Sequence, residues 1–172
     1  FTKVFNMIHA DGGLTQGGVV VQDCLSLLAI LVRNNVSNQT NIREMGHVAR
    51  FAALLPRGKK PKKARASAED EDEWVSPQSD KNIWGLLTIM RMFLVKGSAG
   101  TLQNQNVFQQ HGLVRQLLNI TFDPTTAMPI KIEALNTCAD LIRGNARLQE
   151  GFAQEQVRPI VEPVTNGVTS PN

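Results

Sequence analysis

The 172 residues carry 18 Lys and Arg against 15 Asp and Glu, giving a net charge of +3 and a pI near 9.1. Hydrophobic residues make up 42% but aromatics only 5%, and Tyr is absent, a balance that suits a soluble helical protein with a sizeable core and disfavours a β-rich one. No apolar run reaches the roughly 20 residues of a membrane span, and the basic excess alone does not make a nucleic-acid binder.

Apolar residues at Phe1, Val4, Phe5 and Ile8 form a helical stripe over residues 1–10. Asp11-Gly12-Gly13 ends it, and Gly17-Gly18 makes a hinge that matches neither phosphate-binding glycine pattern. Residues 19–32 are apolar nearly all round, interrupted only by Gln22, Asp23 and Ser26. Their length selects helix over strand, and the missing wet face predicts cover on several sides, as for an inner helix of a stacked array. Ser37 or Asn38 is expected to cap a short helix over 40–45, with Ile42 and Met45 on its apolar side and Gly46 as its stop. A helix over 47–55 follows, with Val48, Phe51, Ala52, Leu54 and Leu55 facing in, and Pro56 ends it.

Residues 56–80 change character. Arg57, Lys59, Lys60, Lys62, Lys63 and Arg65 form a basic block, and residues 69–73 an acidic one. Such blocks bury too little apolar surface to fold alone, so a disordered, self-neutralising insertion is expected. Lys59, Lys60, Lys62, Lys63 and Arg65 are the candidate contacts for a partner or an anionic lipid. The KKPKKAR run also resembles a nuclear-localisation sequence, a common match.

A second inner helix is predicted over 83–95, with Trp84 read as packing, then a short helix over 104–110 closed by Gly112, and a helix over 113–120 broken by Asp123-Pro124. The third inner helix, over 130–142, is expected to turn Ile132, Leu135, Cys138, Ala139 and Ile142 to one side, with Pro129 in its first turn. A short helix over 148–153, a last helix over 157–164 and a polar tail over 165–172 complete the chain. The start without Met and the polar tail read as cuts in a longer protein.

The three corners align. Arg33, Lys96 and Arg143 each follow two apolar residues, where a cation meets the negative end of a helix dipole. Asn34, Gly97 and Gly144 then take a left-handed stop. Downstream, Asn38-Gln39 and Asn104-Gln105 precede an apolar residue by one turn and lead to Gly46 and Gly112; Gln149 holds the same place in the third unit. Gln105 and Gln149 lie 44 residues apart, within the armadillo range of about 40–47, whereas Gln39 and Gln105 lie 66 apart, an excess that the charged insertion accounts for. The reading is therefore all-α, an armadillo-like α-solenoid spanning 1–172 as one segment of a larger unit, with a single insertion at about 56–80.

The runs GGVVVQDCLSLLAILVRNNVSNQTNIREMG, HGLVRQLLNI and ALNTCADLIRGNARLQEGFA, together with FNMIHADGG ahead of them, resemble the globular head of the general vesicular transport factors, the Uso-type tethering golgins. The insertion at 56–80 departs from that pattern. The resemblance implies a peripheral membrane protein that tethers vesicles between the endoplasmic reticulum and the Golgi. It further implies Rab-type GTPase, SNARE and golgin partners, cytoplasmic placement on Golgi and vesicle membranes, and homodimerisation of the full-length protein through a coiled coil. It carries no catalytic motif and no cofactor.

Other readings compete. An importin-type or catenin-type armadillo scaffold binding extended peptides would use a ladder of Asn and Trp on its inner helices, and Trp84 is the only inner-helix Trp. A hydrolase or transferase needs a clustered nucleophile and base, but His9, His47 and His111 are scattered at helix ends and glycine stops. Cys24 and Cys138 stand in separate apolar runs without metal-ligand spacing and are expected buried and reduced. Nucleic-acid binding is disfavoured because the insertion neutralises itself.

Overall fold

A computed structural model describes residues 1–57 and 77–154, and every regular element among them is α-helical. The helices are α1 (Thr2–Ala10), α2 (Gly13–Gln16), α3 (Val19–Val32), α4 (Val36–Glu44), α5 (Val48–Leu54), α6 (Pro77–Met92), α7 (Thr101–Gln110), α8 (Leu113–Phe122), α9 (Met128–Ile142) and α10 (Ala146–Gln154). Long apolar helices α3, α6 and α9 alternate with short pairs, which is the armadillo-like solenoid plan.

The three long helices stack side by side and run the same way. Near the starts of α3 and α6, Gln78 Nε2 donates to Gln22 Oε1 at 3.0 Å, and at their ends Gln39 Nε2 reaches both Val32 O and Met92 O. Arg91 then joins the second half of α6 to Glu133 and Asp140 on α9. One continuous core runs beneath them. Four of the seven Phe residues form its spine: Phe51 lies 5.6 Å from Phe5 and 5.7 Å from Phe93 between ring centroids, and Phe93 lies 5.8 Å from Phe108. These tilted and edge-on pairings add to the burial of their large apolar surface.

Several boundaries differ from the sequence reading, each for a local reason. Helix α6 opens at Pro77, so residues 77–80, expected within the insertion, are its first turn. Pro77 lacks only an N–H that a first turn leaves unpaired, while Ser79 and Asn82 are buried. Asn82 Nδ2 donates to Gly17 O at 2.9 Å and Leu14 O at 3.3 Å, tying the start of α6 to the corner between α2 and α3. The same helix ends at Met92, because Phe93 and Leu94 leave it to enter the core. Lys96 consequently lies beyond the helix end, and Arg91 is the basic residue of the last turn. Helix α4 begins at Val36, a turn earlier than expected, and its cap is Asn35, whose side chain accepts from the Asn38 N–H at 3.0 Å. The remainder of the charged insertion, the helix expected over 157–164 and the polar tail lie outside the described residues.

Burial also corrects the sequence reading. The inner helices are not covered all round: Ile30 is 73% exposed on α3, and Ile132 and Leu135 are 52% and 47% exposed on α9. On α9 the core side chains are Ile130, Ala134, Cys138 and Leu141, not the face through Ile132 and Leu135. Stacking covers the flanks of an inner helix and the short pairs cover its base, which leaves the outward arc to solvent whatever its composition.

Candidate docking surface on the inner helices

The corner residues position this surface. Gln39 is buried, and its amide donates to Val32 O at 2.9 Å in its own unit and to Met92 O at 3.0 Å in the next. Gln105 makes both of its bonds to the next unit, donating to Asp140 O at 3.2 Å and Arg143 O at 2.9 Å. Each glutamine thus fills orphan carbonyls at the ends of inner helices, groups that a helix terminus cannot satisfy by itself. Gln149 is exposed, and among the described residues its amide reaches only Ile142 O, at 3.1 Å. Asn38 and Asn104 act beside them, donating to Leu31 O at 2.7 Å and Phe93 O at 2.9 Å. Gly46 and Gly112 have φ of +73° and +72°, which a Cβ would disfavour. Asn34, Gly97 and Gly144 also have positive φ, and Arg33 and Arg143 cap α3 and α9.

The two junctions between inner helices are sealed differently. Between α6 and α9, Arg91 Nε donates to Asp140 Oδ2 at 2.7 Å and Arg91 Nη1 to Glu133 Oε1 at 3.1 Å, while Arg143 also pairs with Asp140. Burial of the two carboxylates makes that pairing necessary. The hydrogen bonds raise the pKa of Arg91, that to Asp140 most, against the lowering from burial. Between α3 and α6 no ion pair forms among the described residues. A slot of about 550 Å³ lies there instead, open to solvent and mostly apolar. Ser26 and Ala29 of α3 and Trp84 and Gly85 of α6 line it, Pro129 and Ile130 from the start of α9 also border it, and Gln22, Arg33 and Lys81 bring polar groups to it. Trp84, read from sequence as packing, is 48% exposed at this slot.

The other candidates do not gather into a site. Lys59, Lys60, Lys62, Lys63 and Arg65 lie outside the described residues. Both cysteines are free and buried, and burial pushes the Cys138 thiol up to about 12. His9 and His111 are exposed, whereas His47 is buried against Phe5. Among the described residues no three His, Cys, Asp or Glu side chains are placed to hold a metal ion, and no single helix is long and apolar enough to cross a membrane.

A stacked-helix ladder with an open apolar slot defines a class: an armadillo-like α-solenoid segment whose feature is its surface. Comparison with known proteins places it within that class. No family model matches the chain. Over 163 residues, 95% of the chain, it is 29% identical to the intracellular protein transport protein USO1 of Saccharomyces cerevisiae. Over 155 residues, 89% of the chain, it is 30% identical to the general vesicular transport factor p115 of Rattus norvegicus, and equally so to that of Homo sapiens. Two solved structures, Uso1-2 and Uso1-1, superpose with TM-scores of 0.77 and 0.76 at 26% and 29% identity, over 94% and 89% of the chain. The chain is a homologue of the Uso1/p115 vesicular transport factors and matches part of their armadillo-like head. It spans 8% of the yeast relative, 15% of the rat relative and 24% of the Uso1-2 structure.

Proposed function

We propose that this chain is a non-enzymatic docking segment of a vesicle tether in endoplasmic reticulum-to-Golgi and intra-Golgi transport. It presents its helical-repeat surface to a Rab-type GTPase, SNARE proteins and golgins. The protein carrying it works on the cytoplasmic side, held peripherally on Golgi and vesicle membranes, and dimerises outside this segment. The observation that carries the reading is the match, over nearly the whole chain, to transport factors in both sequence and fold. The surface supports it physically. Stacked helices present side chains already ordered by packing, so binding loses little conformational entropy, and a dimer turns weak contacts into useful avidity. An importin-type or catenin-type scaffold has Trp84 in its favour, but a single Trp makes no ladder.

The test is a binding assay with the intact protein and a version lacking residues 1–154, against a Rab-type GTPase loaded with GTP or GDP, SNARE proteins and golgins. Loss of at least one of these contacts in the shortened protein, with dimerisation unchanged, is the expected outcome. Retention of all of them contradicts the reading.

A further inference from the structure

We propose that the slot between α3 and α6 receives an amphipathic helix of a partner protein, seating its aliphatic side chains beside Trp84 and an acidic side chain at Arg33. This rests on the reading of the chain as a docking segment and names the site and the chemistry it selects.

The slot is built rather than left over. Both of its ends are pinned: Asn82 fastens the start of α6 to Leu14 O and Gly17 O, and Gln39 fastens its end to Val32 O and Met92 O. Between the pins the facing positions are Ser26, Ala29 and Gly85, which are too small to fill the space the pins hold open. A Cβ on Gly85 would meet Leu25 Cδ1 only at 3.5 Å, so the glycine is not forced by crowding. At the neighbouring junction the Arg91, Glu133 and Asp140 network closes the seam instead. A preformed cavity of about 550 Å³ falls in the range of ligand sites, roughly 300–1,000 Å³.

Shape and charge choose the occupant. From the level of Gln22 to that of Arg33 the slot runs for about 16 Å at the helical rise, the length of about eleven helical residues. An apolar floor beside a half-exposed Trp is the setting in which buried aliphatic anchors concentrate binding energy. Arg33 caps α3 at one end with no carboxylate paired to it among the described residues, while Arg91, in the last turn of α6, is committed to α9. Asp80 sits at the opposite end beside Lys81. An acidic group at the Arg33 end completes an ion pair, and a basic one meets repulsion.

A phage library of 15-residue helices, selected on the 172-residue chain and counter-selected on Ala29→Leu, tests this. The expected winners carry Leu, Met or Phe at i, i+3 or i+4, and i+7, with Asp or Glu about one turn beyond. Synthesised, they shift Trp84 emission to the blue in a Trp74→Phe background. Arg33→Glu, at an exposed position, weakens them about tenfold, while the melting temperature falls only slightly, by the small loss a reversed charge at the end of α3 brings. If Ala29→Leu does not fold, Arg33→Glu alone decides. No enrichment over the counter-selected variant, Lys- or Arg-rich winners, or equal binding to Arg33→Glu overturns the proposal. These readouts concern helix capture only, so they can fail while the segment still serves transport through another face.

Discussion

Leu28 and Leu135 sit in two similar apolar runs, yet the fold treats them differently. Leu28 is 1% exposed in the core, and Leu135 lies on the outward arc of α9. Leu28→Ala is expected to cost about 2–5 kcal/mol, the usual consequence of a core cavity, and Leu135→Ala less than about 1 kcal/mol. Urea titration of both variants checks this, and similar losses would contradict the assignment of faces. His47 carries a pH dependence. Burial, and then the charge of Arg50, lower its pKa below 6.5, so the folded state favours the neutral ring. As pH falls below about 6.5 the unfolded chain binds the proton first. The stability His47 contributes is therefore present above that pH and is lost as pH falls through the lower folded value. The ring nitrogen Nε2, 3.3 Å from Thr2 Oγ1, places the effect at the contact of α1 with the corner before α5. The melting temperature is expected to drop more between pH 7.5 and 5.5 in the parent than in His47→Gln; equal drops would contradict this.

At the scale of elements, the units are held together by side-chain amides acting across the seams. Gln105→Leu leaves two carbonyls of α9 and its cap without their donor and is expected to cost about 1–3 kcal/mol. Gln149→Leu removes the one exposed bond its amide makes among the described residues, within its own unit, and is expected to cost less than about 1 kcal/mol. Denaturant midpoints compare the two, and equal losses would show that bridging to the next unit adds nothing. Much of this level is legible in sequence. Helix, cation, left-handed stop and polar restart are local patterns with local causes, so the inner helices and their corners can be located from residues alone. What cannot be read is where an amide reaches. The register between units is set by packing, so the sequence shows Gln39 and Gln105 beside a cap but not their reach into the next inner helix. Asn35 rather than Asn38 caps α4 because the Asn38 side chain turns to Leu31 O instead, and Asn82, in a polar stretch ahead of an apolar run, reaches Gly17 O across the seam and ties down an α6 that begins at Pro77.

At the scale of the whole molecule, the fold class was readable because three units share one pattern and differ in spacing by one insertion. The candidate surface was not. An apolar-all-round sequence such as residues 19–32 signals burial, but a ladder leaves the outer arc of each inner helix open. Ser26, Ala29 and Gly85 belong to different runs and become a slot only when α3 and α6 stack. Trp84 carries the same lesson, since packing and exposure give one sequence signal. The stacked helices form a surface with no gathered catalytic or metal-binding set among the described residues, on a chain homologous to vesicular transport factors. The most direct measurement is cell-free docking of endoplasmic-reticulum-derived vesicles to Golgi membranes. It compares the intact protein with one lacking residues 1–154, each confirmed as the same oligomer by light scattering. Docking that falls severalfold while the oligomer is unchanged is the predicted result, and docking at the intact level would show that the segment is a spacer.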